Sequence, residues 1–577
     1  MSTQWMKRRG GQRMRQWGTW ISVLGLSATG CASLGMGGPA ERSTRASFAA
    51  ASAPTASAPA ATADCEKTTG YDVIIVGAGF SGLTASRELR KGGRDKVLIL
   101  EASDHIGGRA NTLKQGPPID LGGAWIHGVS VNPLTGLADA MGFERVTSYL
   151  SGPIYVDDGK AVSQLAGAPY AKYEALEEEF IQKLIESSAI QKAVKECRDS
   201  EDLSVRTRAP RMPAQEQLCQ ELKKKANDQT SIYLPTDPAF RPLIEGNIGP
   251  LESAVETDKV SSVEAVAFEA GDDDLVKEGI GTMVEKFGEG QPVCLNSPVT
   301  KITYREDGVE LEVKNGKRYQ ARKALVTVST GVLQKKKIQF DPELPAWKRE
   351  AIAGLPMGNM QKVIIDFKDQ DVLRAEARAN SWVLYQAPSR EVMAFVIKPL
   401  GKNIAIGFYG GEQAKAYESK CESAMGDKDK ALPPQRQPCD EEAVQRARAA
   451  LIRMYGSSGV DIGKAVDAAD IYMTRWSLDP WTVGAYSAAL PNNWSMREQM
   501  ARPLSFYTFD KAGAEQPRGP SRVYFGGEAS GRAMFNGSFA GAYEAGLFSA
   551  RQMLQNLAEE DGTRGAVRAR KRVPAGF

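Results

Sequence analysis

The chain has 577 residues, 42% of them hydrophobic and 25% charged, with a formal net charge of +3. That is ordinary globular material, long enough for two or more domains with a sizeable core. Residues 1–30 hold five basic residues and no acid, so the chain without them carries −2, and a near-neutral balance argues against a nucleic-acid partner. The basic residues at 564–572 fall in a tail, 559–577, that reads as a solvated, frayed terminus.

The N-terminus is basic, then apolar from Trp17 to Leu26, then small-residued up to Ala28-Thr29-Gly30-Cys31. That is the layout of an export signal, too short to span a bilayer as a stable helix. The small residues leading into Cys31 resemble the bacterial lipobox, which implies lipidation of Cys31, and Arg8-Arg9 resembles the twin-arginine signal without its hydrophobic followers. Residues 1–31 are therefore expected to be a signal peptide. Residues 32–69, rich in Ala, Ser and Pro, have too little apolar surface to fold and read as a tether. The expected location is periplasmic or outer-membrane, as a bacterial lipoprotein; an unprocessed, disordered leader is the alternative. With Cys31 set aside, six cysteines remain, and the pairs Cys197 with Cys219 and Cys421 with Cys439 bracket polar segments, as disulfides of an oxidising compartment would. None lies in a CxxC, so no metal site is expected.

Tyr71 to Glu101 organises the rest. Val73 to Val76 is a continuous apolar, mostly β-branched run, which predicts a strand buried on both faces. It ends at Gly77, and Gly77, Gly79 and Gly82 have GxGxxG spacing: a tight turn, a close backbone approach to pyrophosphate, and close helix packing. A helix over roughly Ser81 to Arg90 would put phosphate at its N-terminus, with Ser81 in the first turn. Val97 to Leu100 predicts a second strand, with Glu101 at its end to take the ribose hydroxyls of an adenosine. An ordinary glycine-rich turn is the plain alternative.

Ile106-Gly107-Gly108-Arg109 adds a glycine pair and an arginine just past the acid. Here the sequence resembles the flavin-dependent amine oxidase family, which implies FAD rather than NAD, with Gly108 and Arg109 helping to hold it. Asp120-Leu121-Gly122-Gly123-Ala124-Trp125-Ile126-His127-Gly128 resembles the segment of polyamine and spermine oxidases that passes along the isoalloxazine. The resemblance places Gly123, Ala124 and Trp125 at the flavin and His127 toward the substrate. On its own a lone histidine is as readily structural. From about Leu150 to Asp274, charged segments such as Lys172 to Glu186 and Ala214 to Lys225 have helical periodicity and predict an insertion that caps the substrate.

Glu278 to Met283 predicts a turn into a helix, and strands are expected at Val293 to Leu295, Val299 to Ile302, Glu310 to Val313 and Tyr319 to Val328. The resemblance implies an adenine contact at Val299. Met357-Gly358-Asn359-Met360-Gln361-Lys362-Val363 matches the family segment whose lysine holds a water at flavin N5, a role that falls on Lys362; without the resemblance it reads as a snorkelling strand-edge lysine. Arg475 to Ser487 matches the family's tryptophan, Asp-Pro and Gly-x-Tyr-Ser pattern, which implies cofactor contact at Trp481 and an amine-holding aromatic wall at Tyr486. Core packing is the alternative for Tyr486. Gly526-Gly527-Glu528 and a helix from about Ser538 to Asn556 close the motif set: Gly527 and Glu528 at the ribityl chain, Ser538 at the pyrimidine end. Ser538 stands where relatives carry tyrosine, threonine or histidine.

The expected fold is α/β: a doubly wound, Rossmann-like FAD domain from residues 70–149, 275–330 and 515–558, with a mixed-sheet and helical substrate domain from 150–274 and 331–514. The expected function is FAD-dependent oxidation of a small-molecule amine, polyamines favoured, by hydride transfer to flavin. The product imine hydrolyses to an aldehyde and an amine, and O2 becomes H2O2. An L-amino-acid oxidase or tryptophan-monooxygenase-like enzyme is the alternative, and a non-catalytic surface module with a flavin fold a third.

Overall fold

The computed structural model describes residues 64–562, apart from 115, 150–151, 208–212, 267–270, 369–371, 374–378, 427–430, 457–459, 510–514 and 532–534. The signal peptide with Cys31, nearly all of the tether and most of the basic tail lie outside the described residues.

Tyr71–Val76 is central to a nine-stranded sheet. It pairs in parallel with Val97–Leu100 on one side and Arg318–Val326 on the other. Val293–Cys294 and Glu515–Phe525 extend the parallel core outward, and Val299–Tyr304 with Val309–Val313 adds an antiparallel ribbon, so the sheet is mixed. Alternate side chains of the first strand enter different cores. Val73 and Ile75 pack with Leu83, Leu89, Met553 and Leu557 of the helices Phe80–Lys91 and Phe539–Glu560. Ile74 and Val76 pack with Tyr304, Leu311 and Phe525. Burial on both faces is what an unbroken apolar strand requires.

A seven-stranded sheet follows, in the order Asp470–Met473, Met360–Asp366, Ile404–Gly410, Val392–Ile397, Ser381–Gln386, Ile154–Asp157, Val162–Gln164. Val363 and Ile365 face the helix Glu441–Tyr455; Ile364 faces the cap, against Phe180, Leu184 and Leu243. By the same alternation Lys362 lies on the cap side. The predicted insertion is dominated by one helix, Gly167–Thr207, longer than periodicity marked out because no Gly or Pro follows Pro169 before Thr207 to end it. Leu504–Phe509, within the stretch assigned to the substrate domain, pairs with Glu515–Phe525 in the nucleotide sheet.

Cys197–Cys219 and Cys421–Cys439 are disulfides, and a third, Cys65–Cys294, joins residues 229 apart with a Cα–Cα distance of 5.8 Å. It fastens the start of the described chain to the edge of the nucleotide sheet. Among the described residues no helix is long and apolar enough to cross a membrane.

Candidate active site

One cavity of about 1440 Å³ runs from the first βα turn to the helical cap. At one end lie Gly77, Gly79 and Ser81, with Glu101, Gly108 and Arg109 beside them. The helix Phe80–Lys91 starts at Gly79 with no side-chain cap, which leaves its first N–H groups for an anion. Gly82 is behind the wall: a Cβ there would sit 2.0 Å from the Gly77 carbonyl oxygen. It fixes how tightly the helix closes on the turn. Gly107 N–H donates to Ala78 O at 2.9 Å, so the second glycine motif lies against the first.

Glu101 accepts from Ala78 N at 2.6 Å on Oε2, and on Oε1 from Ser103 N at 2.9 Å and Ser103 Oγ at 2.8 Å. A carboxylate has about four acceptor positions, so Oε2 keeps one open to the cavity, where the sequence reading expected a pair of ribose hydroxyls. Glu528 is arranged alike. Its Oε1 accepts from Arg109 Nη1 at 2.9 Å and Ser487 N at 3.2 Å, its Oε2 from Ser487 Oγ at 2.5 Å. Burial pushes the Glu528 carboxyl up, but Arg109 and Arg497 outweigh it and hold it below the usual carboxylate range. Ser81 Oγ accepts from Gly527 N at 2.9 Å and so joins the first and last nucleotide motifs.

In the middle of the cavity, Gly123 lets the Phe539 ring approach, since a Cβ would meet Cε2 at 2.7 Å. Val299 and Trp481 also line the cavity, on segments that approach Glu101, with Lys337 Nζ 5.3 Å from the centre of the Trp481 ring. Ser538 caps the helix Phe539–Glu560 by accepting from Gly541 N at 3.2 Å, so that helix points its N-terminus at the cavity from this end. Lys362 is buried and donates to Asp120 O at 2.8 Å and to Gly122 O, the backbone on which Gly123, Ala124 and Trp125 are strung. One N–H remains. Burial drives this ammonium down to about 8, opposed by Asp120.

Asp120 shows why the motif begins with an acid. It accepts from Ile280 N at 3.0 Å and Gly281 N at 3.1 Å, at the N-terminus of the helix Ile280–Gly288, and so fixes where the Gly122–Trp125 backbone runs.

At the cap end, His127 Nδ1 is 3.3 Å from Asp273 Oδ1, which also accepts from Gly128 N at 3.0 Å. Tyr486 donates to Glu252 O at 2.8 Å, and burial raises its hydroxyl far above the usual value. Trp125, Trp382 and Phe408 pack together with ring centres 4.9 to 6.0 Å apart, and all three line the cavity. Trp382 and Phe408 have no motif in the sequence. Tyr170, Tyr173, Glu174, Glu177 and Ile181 also reach the cavity from the long helix; their three-and-four spacing is one helix face and was the available signal.

These residues suit a flavin dinucleotide. The turn excludes side chains where phosphate would lie, two carboxylates each keep an open acceptor position, and the volume exceeds the roughly 300–1,000 Å³ of pockets for a single small ligand. A dinucleotide turn that shares its cavity with a buried lysine and an aromatic wall has the parts that a flavoprotein oxidoreductase needs. Residues 80–554 match the family described as flavin containing amine oxidoreductase. The chain belongs to that family and is an FAD-dependent amine oxidoreductase. It is 27% identical over 519 residues to polyamine oxidase 1 of Zea mays, covering 85% of this chain and 92% of that protein. To lysine-specific histone demethylase 2 of Homo sapiens it is 27% identical over 495 residues, covering 83% and 53%. A solved putrescine oxidase variant with redesigned cofactor binding shares the fold, with a TM-score of 0.59 at 21% identity, covering 84% and 98%.

Proposed function

We propose that this protein oxidises polyamines, with O2 as the terminal acceptor. The observation that carries the reading is the charge of the cap. Between Thr147 and Asp274 the described cavity lining includes Glu174, Glu177, Glu252, Glu264, Asp272, Asp273 and Asp274 and no Lys, Arg or His. Arg497 pairs with Glu264 and Arg145 with Asp274, and the residues of this stretch that face the cavity carry one sign of formal charge. A wall of one sign concentrates a ligand of the other, and a chain with several ammonium groups fits it. An L-amino-acid oxidase needs a cation for the substrate carboxylate. Arg109, the one arginine among the described lining residues, is already bonded to Glu528 and Ala485 O.

FAD supplies the two-electron acceptor that turns an amine C–H and N–H into an imine. The protein has to hold the amine neutral and in place. Trp125, Trp382, Phe408 and Tyr486 give an apolar surround that disfavours a charged nitrogen. His127, with Nδ1 3.3 Å from Asp273 Oδ1, lines the same end of the cavity and is placed to contact the amine. Remote ammonium groups stay charged against the cap carboxylates. Imine hydrolysis then gives an aldehyde and a smaller amine, and O2 takes the electrons as H2O2. The remaining Lys362 N–H holds water or O2 near the reacting end. Export, with a membrane tether through Cys31, is the accompanying proposal, supported by the leader's layout and by three disulfides.

The test is peroxide release by the purified protein with spermine, spermidine, putrescine, aromatic monoamines and L-amino acids. Turnover with spermine or spermidine is expected. Turnover with amino acids alone would overturn the reading.

A further inference from the structure

Trp476 lines the cavity, and its Cζ2 would lie 3.6 Å from a Cβ at Gly122, the residue whose carbonyl receives Lys362. Its neighbours in sequence are held by unusual means. Arg475, on one side, is buried and grips buried Asp440, with Nε to Oδ1 at 3.0 Å and Nη2 to Oδ2, while Nη1 donates to Pro433 O at 3.0 Å. Ser477, on the other side, gives both its N–H, at 2.8 Å, and its hydroxyl to Oε2 of fully buried Glu418. Asp440 directly follows Cys439, and Glu418 lies one helical turn before Cys421; the Cys421–Cys439 disulfide ties the two together. Upstream, Thr474 exchanges hydrogen bonds with Lys362: Lys362 N to Thr474 Oγ1 at 2.8 Å, and Thr474 N to Lys362 O at 3.1 Å.

Glu418 Oε1 is buried with no hydrogen-bond partner, an unmet polar atom that an apolar side chain would not bring. Asp440 also caps its own turn, accepting from Gln437 N at 2.6 Å, but both acids converge on the four residues 474–477, and the part of that segment in the cavity wall is one indole. We propose that Asp440 and Glu418, joined by the Cys421–Cys439 bond, are positioning residues that hold Trp476 in register with the Gly122 backbone and Lys362, and thereby set the geometry at the flavin.

Acting through an indole and merely stabilising the fold give different results in a double-mutant cycle. The FAD-loaded protein is made with Asp440→Asn, with Glu418→Gln and with Cys421→Ser plus Cys439→Ser, each in the parent and in a Trp476→Phe background. The readouts are the visible circular dichroism of bound flavin, which needs no substrate, the thermal midpoint, and kcat and KM with the best amine. In the parent background, Asp440→Asn is expected to change the flavin dichroism and to lower kcat about tenfold, in keeping with the sensitivity of such sites to sub-ångström displacement. In the Trp476→Phe background the same change should shift both by less than about twofold. Equal effects in the two backgrounds, or a lower thermal midpoint with unaltered dichroism and kcat, would overturn the proposal. Should Asp440→Asn fail to yield folded protein, the near-isosteric Glu418→Gln decides by the same criteria.

Discussion

The two ends of the cavity are made of different materials. At the nucleotide end the wall is mostly backbone: glycines, helix N-termini and two carboxylates already held by protein donors. At the cap end it is side chain: indoles, tyrosines and carboxylates carried on helices, with few glycines. A wall of backbone tolerates no added atom and recognises what is constant in a ligand, whereas a wall of side chains changes one residue at a time. Substitutions at the nucleotide end should therefore remove the cofactor, and those at the cap should retune the substrate.

The largest effect expected is at Gly82. A Cβ there meets the Gly77 carbonyl at 2.0 Å, backbone against backbone, so Gly82→Ala should cost about 3 kcal/mol or more. The protein should be recovered colourless; yellow Gly82→Ala with parental FAD affinity would break the contrast between the ends. Next is Lys362→Met, which should keep FAD and slow reoxidation by O2 roughly a hundredfold, as loss of a single preorganised donor does. Because burial brings Lys362 down to about 8, reoxidation in the parent should fall as pH rises through about 8 and stay flat in the variant. Stopped-flow oxidation from pH 6 to 10 checks both. The sign for stability is opposite: above about 8 the folded protein has lost a proton that the unfolded chain keeps to about 10.5, so this group's contribution rises across that window.

The nucleotide end was legible because its signals are local. A run such as Val73-Ile74-Ile75-Val76 followed by Gly77, Gly79 and Gly82 states strand, turn and helix within twelve residues. Glu174 and Glu177 were not legible as cavity residues, because on a charged helix an inward acid and a solvated one have the same spacing; only the adjacent Tyr170, Tyr173 and Ile181 mark the face. Trp382 and Phe408 sit in ordinary apolar strands whose alternation tells which face they share and not what lies opposite. Cys65–Cys294 spans 229 residues, and no local spacing could pair it. Arg497 escaped for the same reason: it donates to Glu264, Ser487 and the Glu528 carbonyl, three elements that only the fold brings together.

The cap is tested by Glu174→Gln with Glu177→Gln. Removing two carboxylates from the wall should raise KM for spermine about tenfold, weaken its salt dependence and leave FAD affinity alone. An unchanged KM would mean that the charge of this wall does not select the substrate.

The smallest effect expected is at Ser538, where the two kinds of wall meet. Its hydroxyl caps the helix Phe539–Glu560 through Gly541 N, so Ser538→Ala should lower stability by about 1 kcal/mol. Ser538→Asn, which caps as well, should restore it. If Ser538 serves only as a cap, KM for the amine follows neither change; if it is also part of the substrate wall, both variants shift KM while only the alanine loses stability. Denaturant unfolding of the FAD-bound protein beside steady-state kinetics separates the two, and assigns this position to the backbone end of the cavity or to the side-chain end.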